Sequence, residues 1–223
     1  MARRQHCRVA SRLPVEETPD AVAPDPLRHA MVRDVREGTD VSEGADPPIF
    51  VFAPFVSSTM RVEPGWIDYN GHLNMAYYLV LFDRAVDEAF AVAGLGPDYL
   101  RERDCSYFTA EIHTVYRREL SLREEVRATV QLIDYDEKRV HAYLELREAR
   151  EGWVAATCEK LFLHVDMRSR SVCPFPPDIL SNLAAVKAAH GRLSRPETLG
   201  RSIGLRRGAS RRTASPEQAR TRH

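Results

Sequence analysis

At 223 residues, 43% of them hydrophobic, the chain has enough apolar surface for one ordinary domain with a real core, or for two small ones. Its 32 lysines plus arginines balance its 32 aspartates plus glutamates, so no overall field argues for a nucleic acid or an anionic membrane as partner. The four cysteines, Cys7, Cys105, Cys158 and Cys173, form no Cys-x-x-Cys pair, which fits reduced thiols in a cytoplasmic protein better than a disulfide framework or a zinc site.

Residues 1–48 show no sustained hydrophobic period, while proline, glycine, aspartate and glutamate recur, which predicts a disordered extension unable to offset its ordering entropy. The start "MARRQHCRVASRLPVEETPD" has arginines but no continuous apolar stretch, and no window of the chain approaches the length of a membrane span. Neither secretion nor membrane insertion is indicated. The arginines imitate an organelle transit peptide, but the acids from Glu16 onward and the prolines favour disorder, and Met31 is an alternative start.

A domain is predicted over 49–190. Phe55 to Val62 reads as a strand. The stretch "WIDYNGHLNMAYY", Trp66 to Tyr78, then packs an aspartate, a glycine, a histidine and two asparagines ahead of a strongly apolar run. That run, Met75 to Ala93, has helical period. Met75, Tyr78, Leu79, Phe82, Ala85, Val86, Ala89, Phe90 and Ala93 make one wide apolar face, extended by Tyr77, Val80 and Leu81. Asp83, Arg84, Asp87 and Glu88 fill the remaining stripe, where Arg84 and Glu88 stand one turn apart and are expected to pair.

Four strands follow, around Tyr107–Arg118, Glu125–Tyr135, Arg139–Glu148 and Trp153–Val165. The second sets Val126, Ala128, Val130 and Leu132 on one face; the third does so with Val140, Ala142, Leu144 and Leu146. On the first, plain alternation places Glu111 and His113 with Tyr107, Thr109 and Val115. Links such as "DYDEK" and "AREG" suit antiparallel hairpins. A final helix from Asp178 to about Ala189 follows "PFPP". Residues 191–223 are read as a basic, disordered tail, a solvated segment without the interleaved aromatics of a nucleic-acid arm. A helix apolar on most sides needs to be surrounded, and a five-stranded antiparallel sheet wrapped around it would do so. The expectation is an α+β, hotdog-like architecture with an added C-terminal helix.

The segment "RVEPGWIDYNGHLNMAYYLVLFDRA" resembles the signature of the 4-hydroxybenzoyl-CoA thioesterase-like branch of the hotdog superfamily, and the resemblance covers roughly Ile49 to Pro177. With "EIHTVYRREL" and "GWVAATCEKLFLHVD", the chain is most similar to the betainyl-CoA thioesterases of carnitine breakdown. The resemblance implies an acyl-CoA thioester hydrolase acting on a small or medium acyl group, working as a homodimer or tetramer.

Physical chemistry then assigns roles. A glycine turn leading into a helix N-terminus makes a place where a thioester carbonyl gains charge beside free N–H groups. Gly71 lets backbone approach, Asn74 caps one N–H, and Met75 opens the helix. Asp68 is the candidate nucleophile or general base. The plain alternative is that Asp-Tyr-Asn-Gly is simply a good turn. His72 is a candidate acid or substrate contact, with loop support as the equal alternative. Trp66, Tyr69 and Tyr77 are candidate acyl contacts, suited to a trimethylammonium group. Glu111 and His113 belong to the site only if their face meets a dimer cleft. Arg117, Arg118, Lys138 and Arg139 are candidates for the phosphates of coenzyme A. His164 and Asp166 form a His-x-Asp pair without further ligands at metal spacing, so no metal is expected. No cofactor is expected beyond the coenzyme A of the substrate; no Walker or Rossmann glycine pattern is present. The competing readings are an enoyl-CoA hydratase on the same fold, disfavoured by the Asp68–His72 spacing and the missing proline, and a non-catalytic acyl-CoA-binding protein.

Overall fold

A computed structural model describes residues 51–205; the predicted N-terminal extension and the end of the basic tail lie outside the described residues. The elements run β1 (Phe55–Val56), β2 (Met60–Arg61), a 3₁₀ turn (Pro64–Trp66), α1 (Met75–Val92), α2 (Pro97–Arg103), β3 (Cys105–Tyr116), β4 (Glu125–Tyr135), β5 (Arg139–Glu148), β6 (Val154–Asp166), β7 (Ser171–Val172) and α3 (Pro177–His190). The sheet is antiparallel in the order β1-β4-β5-β6-β3, with β2 also on β4 and β7 also on β6. The four long strands and the two main helices fall where the hydrophobic periods put them. The short helix α2 has no counterpart in the sequence reading.

The single strand expected at Phe55–Val62 is two pairs separated by a bulge. Ser57 explains the break: its N–H donates to the Ala128 carbonyl at 2.9 Å, but its hydroxyl oxygen, not its carbonyl, accepts from the Ala128 N–H. A side chain thus completes the ladder where the backbone turns aside. Across the bulge, Ser58 donates from both N–H and hydroxyl to the Glu88 carboxylate of α1. Glu88 is therefore not the partner of Arg84, as its spacing suggested. Arg84 instead reaches Glu63 at 3.4 Å and lies over the Trp66 ring at 5.1 Å.

The core sits between α1 and the concave face of the sheet. Leu81, Phe82, Ala85 and Val86 of α1 are fully buried against Val126, Ala128, Leu144, Leu146 and Phe162. Each large side chain among them contributes roughly 1.5–3 kcal/mol on leaving water. The helix ends as its sequence dictates. Gly94 takes φ +88°, Leu95 N–H donates back to Phe90 O at 2.8 Å, and a Cβ at Gly94 would stand 3.1 Å from the Asn182 side chain.

Further bulges curl the strands around α1. In β4 the register shifts at Ile133, and α3 satisfies the groups set free there: His190 Nδ1 accepts from Leu132 N–H at 2.8 Å, and Lys187 donates to Ile133 O. In β6 the extra residue is Ala155, whose carbonyl accepts from Arg117 N–H at 2.9 Å and Arg118 N–H at 3.1 Å. The tail is corrected too. Through residue 200 it lies on the outer sheet face, with Thr198 Oγ1 2.6 Å from the Tyr143 hydroxyl and Gly200 N–H donating to Glu159 at 2.8 Å. This irregular chain docks by single hydrogen bonds, so it carries no hydrophobic period to read. Among the described residues, no helix is long and apolar enough to cross a membrane.

Candidate active site

The polar motif folds as a tight hairpin that delivers the chain to α1. Ile67 bridges Leu73, Asp68 N–H donates to His72 O at 3.1 Å, and Asn74 N–H donates to Trp66 O at 2.9 Å. At its tip, Gly71 N–H donates to Asp68 O at 3.0 Å with φ +85°, and no atom would touch an added Cβ. Glycine is needed there for its dihedral, not for room. Leu73, 1% exposed, anchors the hairpin and donates its N–H to Leu120 O at 2.8 Å. Asp68 accepts one bond, from Asn70 N–H to Oδ1 at 2.8 Å. Its second oxygen has no partner among the described residues.

At the start of α1, the Asn74 side chain accepts from Ala76 N–H at 3.0 Å, and the Asn74 carbonyl accepts from Tyr77 N–H at 3.0 Å. That leaves Met75 N–H without a hydrogen-bond partner among the described residues, on a residue that is 62% exposed. A carboxylate oxygen and a helix-terminal N–H are thus both open on one short segment. They are the two things a reacting carbonyl needs. His72 points back from this segment, its Nε2 3.9 Å from Glu119 and its Nδ1 3.3 Å from Leu73 O.

Two groups absent from the sequence reading complete this end of the molecule. The Tyr116 hydroxyl donates to Met75 O at 3.1 Å, and its ring meets that of Tyr78 edge-on at 5.1 Å. Burial raises the Tyr78 hydroxyl above the usual phenol range; this hydroxyl accepts from Leu120 N–H at 3.1 Å. Glu119, facing His72, is the other. Tyr116 was illegible because β3 carries a bulge between Thr109 and Glu111. Ahead of Ala110, Tyr107 faces α1 and donates to Asp87 at 2.6 Å; beyond it the parity flips, so Thr114 and Tyr116 face inward.

The same flip corrects Glu111 and His113, which do not share a face with Tyr107 and Thr109. They pair with Leu161 and Glu159 on the outer side of the sheet, where they join Asp134, His141 and Arg201 around an open cavity of about 720 Å³. The aromatic cluster is corrected as well. Trp66 is buried, stacked on Tyr77 at 5.3 Å, and is core rather than pocket wall; Tyr69 projects from the tip, 97% exposed. Lys138 and Arg139 lie at the β4–β5 turn, and β4 runs 11 residues, roughly 35 Å, from that turn to the α1 N-terminal end. Arg139 is held by Asp136 at 2.6 Å and Lys138 stands 3.5 Å from Glu137. Within one chain they are remote from Asp68. Arg117 and Arg118 follow Tyr116 directly and stand at the right end, although Arg118 lies on the Trp153 ring at 4.0 Å.

Residues 62–183 match the thioesterase-like superfamily. The chain is 36% identical over 144 residues to the betainyl-CoA thioesterase of Pseudomonas aeruginosa, a match covering 65% of this chain and 91% of that protein. It is 35% identical over 147 residues to the L-carnitine dehydrogenase/betainyl-CoA thioesterase of Rhizobium meliloti, covering 66% of this chain but 29% of that longer protein. Among solved structures, a hypothetical protein of Staphylococcus aureus characterised in complex with CoA superposes with a TM-score of 0.64 at 28% identity, covering 71% of this chain and 99% of that one.

Proposed function

This chain belongs to the thioesterase-like superfamily, and on that premise we propose that it hydrolyses a small acyl-CoA thioester, betainyl-CoA first among them, to the free acid and coenzyme A. The observation that carries the reading is that, among the described residues, one Asp68 carboxylate oxygen and the Met75 N–H lack partners on the same hairpin-to-helix segment.

The thioester oxygen accepts from Met75 N–H, where the positive end of α1 favours the charge that develops on it. Asp68 then acts in one of two ways. It takes a proton from a water that adds to the carbonyl carbon, or it adds to that carbon itself, giving a mixed anhydride that water opens. Either way the C–S bond breaks, the electron pair leaves on sulfur, and one water is consumed. Gly71 sets the turn and Asn74 holds the helix start. His72, its Nε2 3.9 Å from Glu119, is the candidate to contact substrate or to protonate the departing thiolate once its ring turns toward the segment. Arg117 and Arg118, which follow Tyr116, are the candidate cations for the phosphates of coenzyme A.

The acyl group is argued from the relatives and from chemistry. A betainyl group sets its trimethylammonium one methylene from the carbonyl, so its neighbours would be the exposed faces of Tyr116 and Tyr69 and the carboxylates of Asp68 and Glu119. The chemistry asks for no cofactor. The unit is a homodimer or a tetramer built from it, because β3 leaves an edge bearing the exposed Phe108, Ile112 and Tyr116. The described cysteines are free, which suits a cytoplasmic setting.

The test is release of free thiol from a panel of acyl-CoA esters. Betainyl-CoA is expected to exceed acetyl-CoA and butyryl-CoA in kcat/KM. Equal turnover of all three would leave a general thioesterase; turnover of none would overturn the proposal.

A further inference from the structure

Far from the α1 N-terminus, the sheet gathers three soft ligands that the sequence keeps apart. Cys105 opens β3, His164 lies on β6, and Cys173 follows β7. Their donor atoms, two Sγ and a ring nitrogen, all lie within 4.8 Å of one another. The ladder holds them there: Cys105 pairs with Asp166, and Cys173 donates its N–H to His164 O at 3.0 Å.

We propose that Cys105, His164 and Cys173 form a binding site for a thiophilic d¹⁰ cation of the Zn²⁺ class. His164 is 1% exposed and fixed on both sides, with its ring stacked on Phe175 at 4.4 Å and its Nε2 2.8 Å from the buried Tyr99 hydroxyl. In the metal-free chain Nδ1–H donates to Cys173 O and Nε2 accepts from the Tyr99 hydroxyl; a cation taking Nδ1 shifts that ring proton to Nε2, which then donates to the Tyr99 oxygen. This is the outer-shell arrangement that orients metal-bound histidines. Nδ1 stands 3.4 Å from Cys173 Sγ, close to the separation of two ligands on one tetrahedral ion. Nδ1 also lies 3.0 Å from Cys173 O, a contact the cation would replace. Both cysteines are partly exposed, so solvent can supply the fourth position.

A disulfide is the competing use of two nearby thiols, and the topology argues against it. β3 and β7 flank β6 on opposite sides, so their backbones lie roughly 10 Å apart. That exceeds the Cα separation a disulfide spans, whereas a bridging ion reaches both sulfurs. Binding would release one proton from each thiol.

The full chain, stripped of metal by chelator and dialysis under reducing conditions, should take up one equivalent of Co²⁺ with a near-ultraviolet thiolate-to-cobalt band that Zn²⁺ abolishes. Cys105→Ala and Cys173→Ala should each weaken uptake by roughly a hundredfold or more, and Tyr99→Phe by about 10- to 100-fold with the band retained. Metal-free melting of the cysteine variants should match the metal-free parent, showing that they fold. Zn²⁺ at a hundredfold excess over its Kd should raise the parent Tm by roughly 5–10 °C. Absence of the charge-transfer band, non-stoichiometric uptake, or a band unchanged in both cysteine variants would each overturn the site.

Discussion

Asp68 is set apart from most carboxylates of this fold by what it touches. Asp83, Asp104, Asp134, Asp136 and Asp178 are each tied to a lysine or arginine, whereas Asp68 meets one backbone N–H and keeps an oxygen open. Its position depends on Gly71. Gly71→Ala should cost about 1–2 kcal/mol, because an L side chain is disfavoured at φ +85°. Gly65→Ala, equally uncrowded but not at positive φ, should be near neutral. Urea midpoints of the two variants check this. His190 gives a pH dependence. Its Nδ1 accepts from Leu132 N–H and its Nε2–H donates to Phe52 O at 2.6 Å, so both bonds fit the neutral ring. Burial lowers its pKa below the ordinary 6.5, so the unfolded chain binds a proton that the folded one refuses. The sign follows: this stability is present above pH 6.5 and is lost as pH falls from there through the depressed folded value. Thermal melts from pH 7.5 to 5.5 should show a fall in Tm that flattens in His190→Gln, a variant with lower Tm at pH 7.5.

At the scale of elements, α1 carries the asymmetry that a pairing diagram hides. Lys160 of β6 is buried, 1% exposed at its side chain, and reaches Asp83 of α1 at 2.9 Å, while Asp83 itself is 61% exposed. Removing the acid strands a buried cation; removing the lysine leaves a carboxylate that water can reach. Asp83→Asn should therefore cost about 3 kcal/mol and Lys160→Met under about 1.5, measured by denaturant midpoints; equal losses would refute the argument. The same contrast explains what was legible. Strands β4 and β5 were readable to their ends because Val126–Leu132 and Val140–Leu146 alternate strictly and all line the core. Helix α1 was readable from its Asn74 cap to Ala93. The bulges were not, because Ala110 and Ile133 look like ordinary strand residues. What stabilises the β4 bulge comes from more than fifty residues away in α3. One such bulge moved Glu111 and His113 off the inner face and brought Tyr116 onto it. The site hairpin was legible because its signal is local: turn, glycine, cap. The cysteines were not, because only the sheet register brings them together.

At the scale of the whole molecule, the edge of β3 decides whether the site stands alone. Phe108, Ile112 and Tyr116 on that edge are each about 40% exposed, and Tyr116 also touches Met75, so a second copy paired there would close over the start of α1. Ile112→Lys should shift sedimentation from dimer toward monomer and lower kcat/KM with it; an active monomer would detach the site from assembly. The proposed hydrolysis depends on Asp68 as its nucleophile or general base. Its most direct measurement is kcat of Asp68→Asn on the best acyl-CoA of the panel, beside the wild type and beside the Tm of both. Asparagine keeps the Oδ1 bond to Asn70 N–H, so Tm should hardly move, while kcat should fall by roughly 10²- to 10⁴-fold. Wild-type turnover by Asp68→Asn would contradict the account.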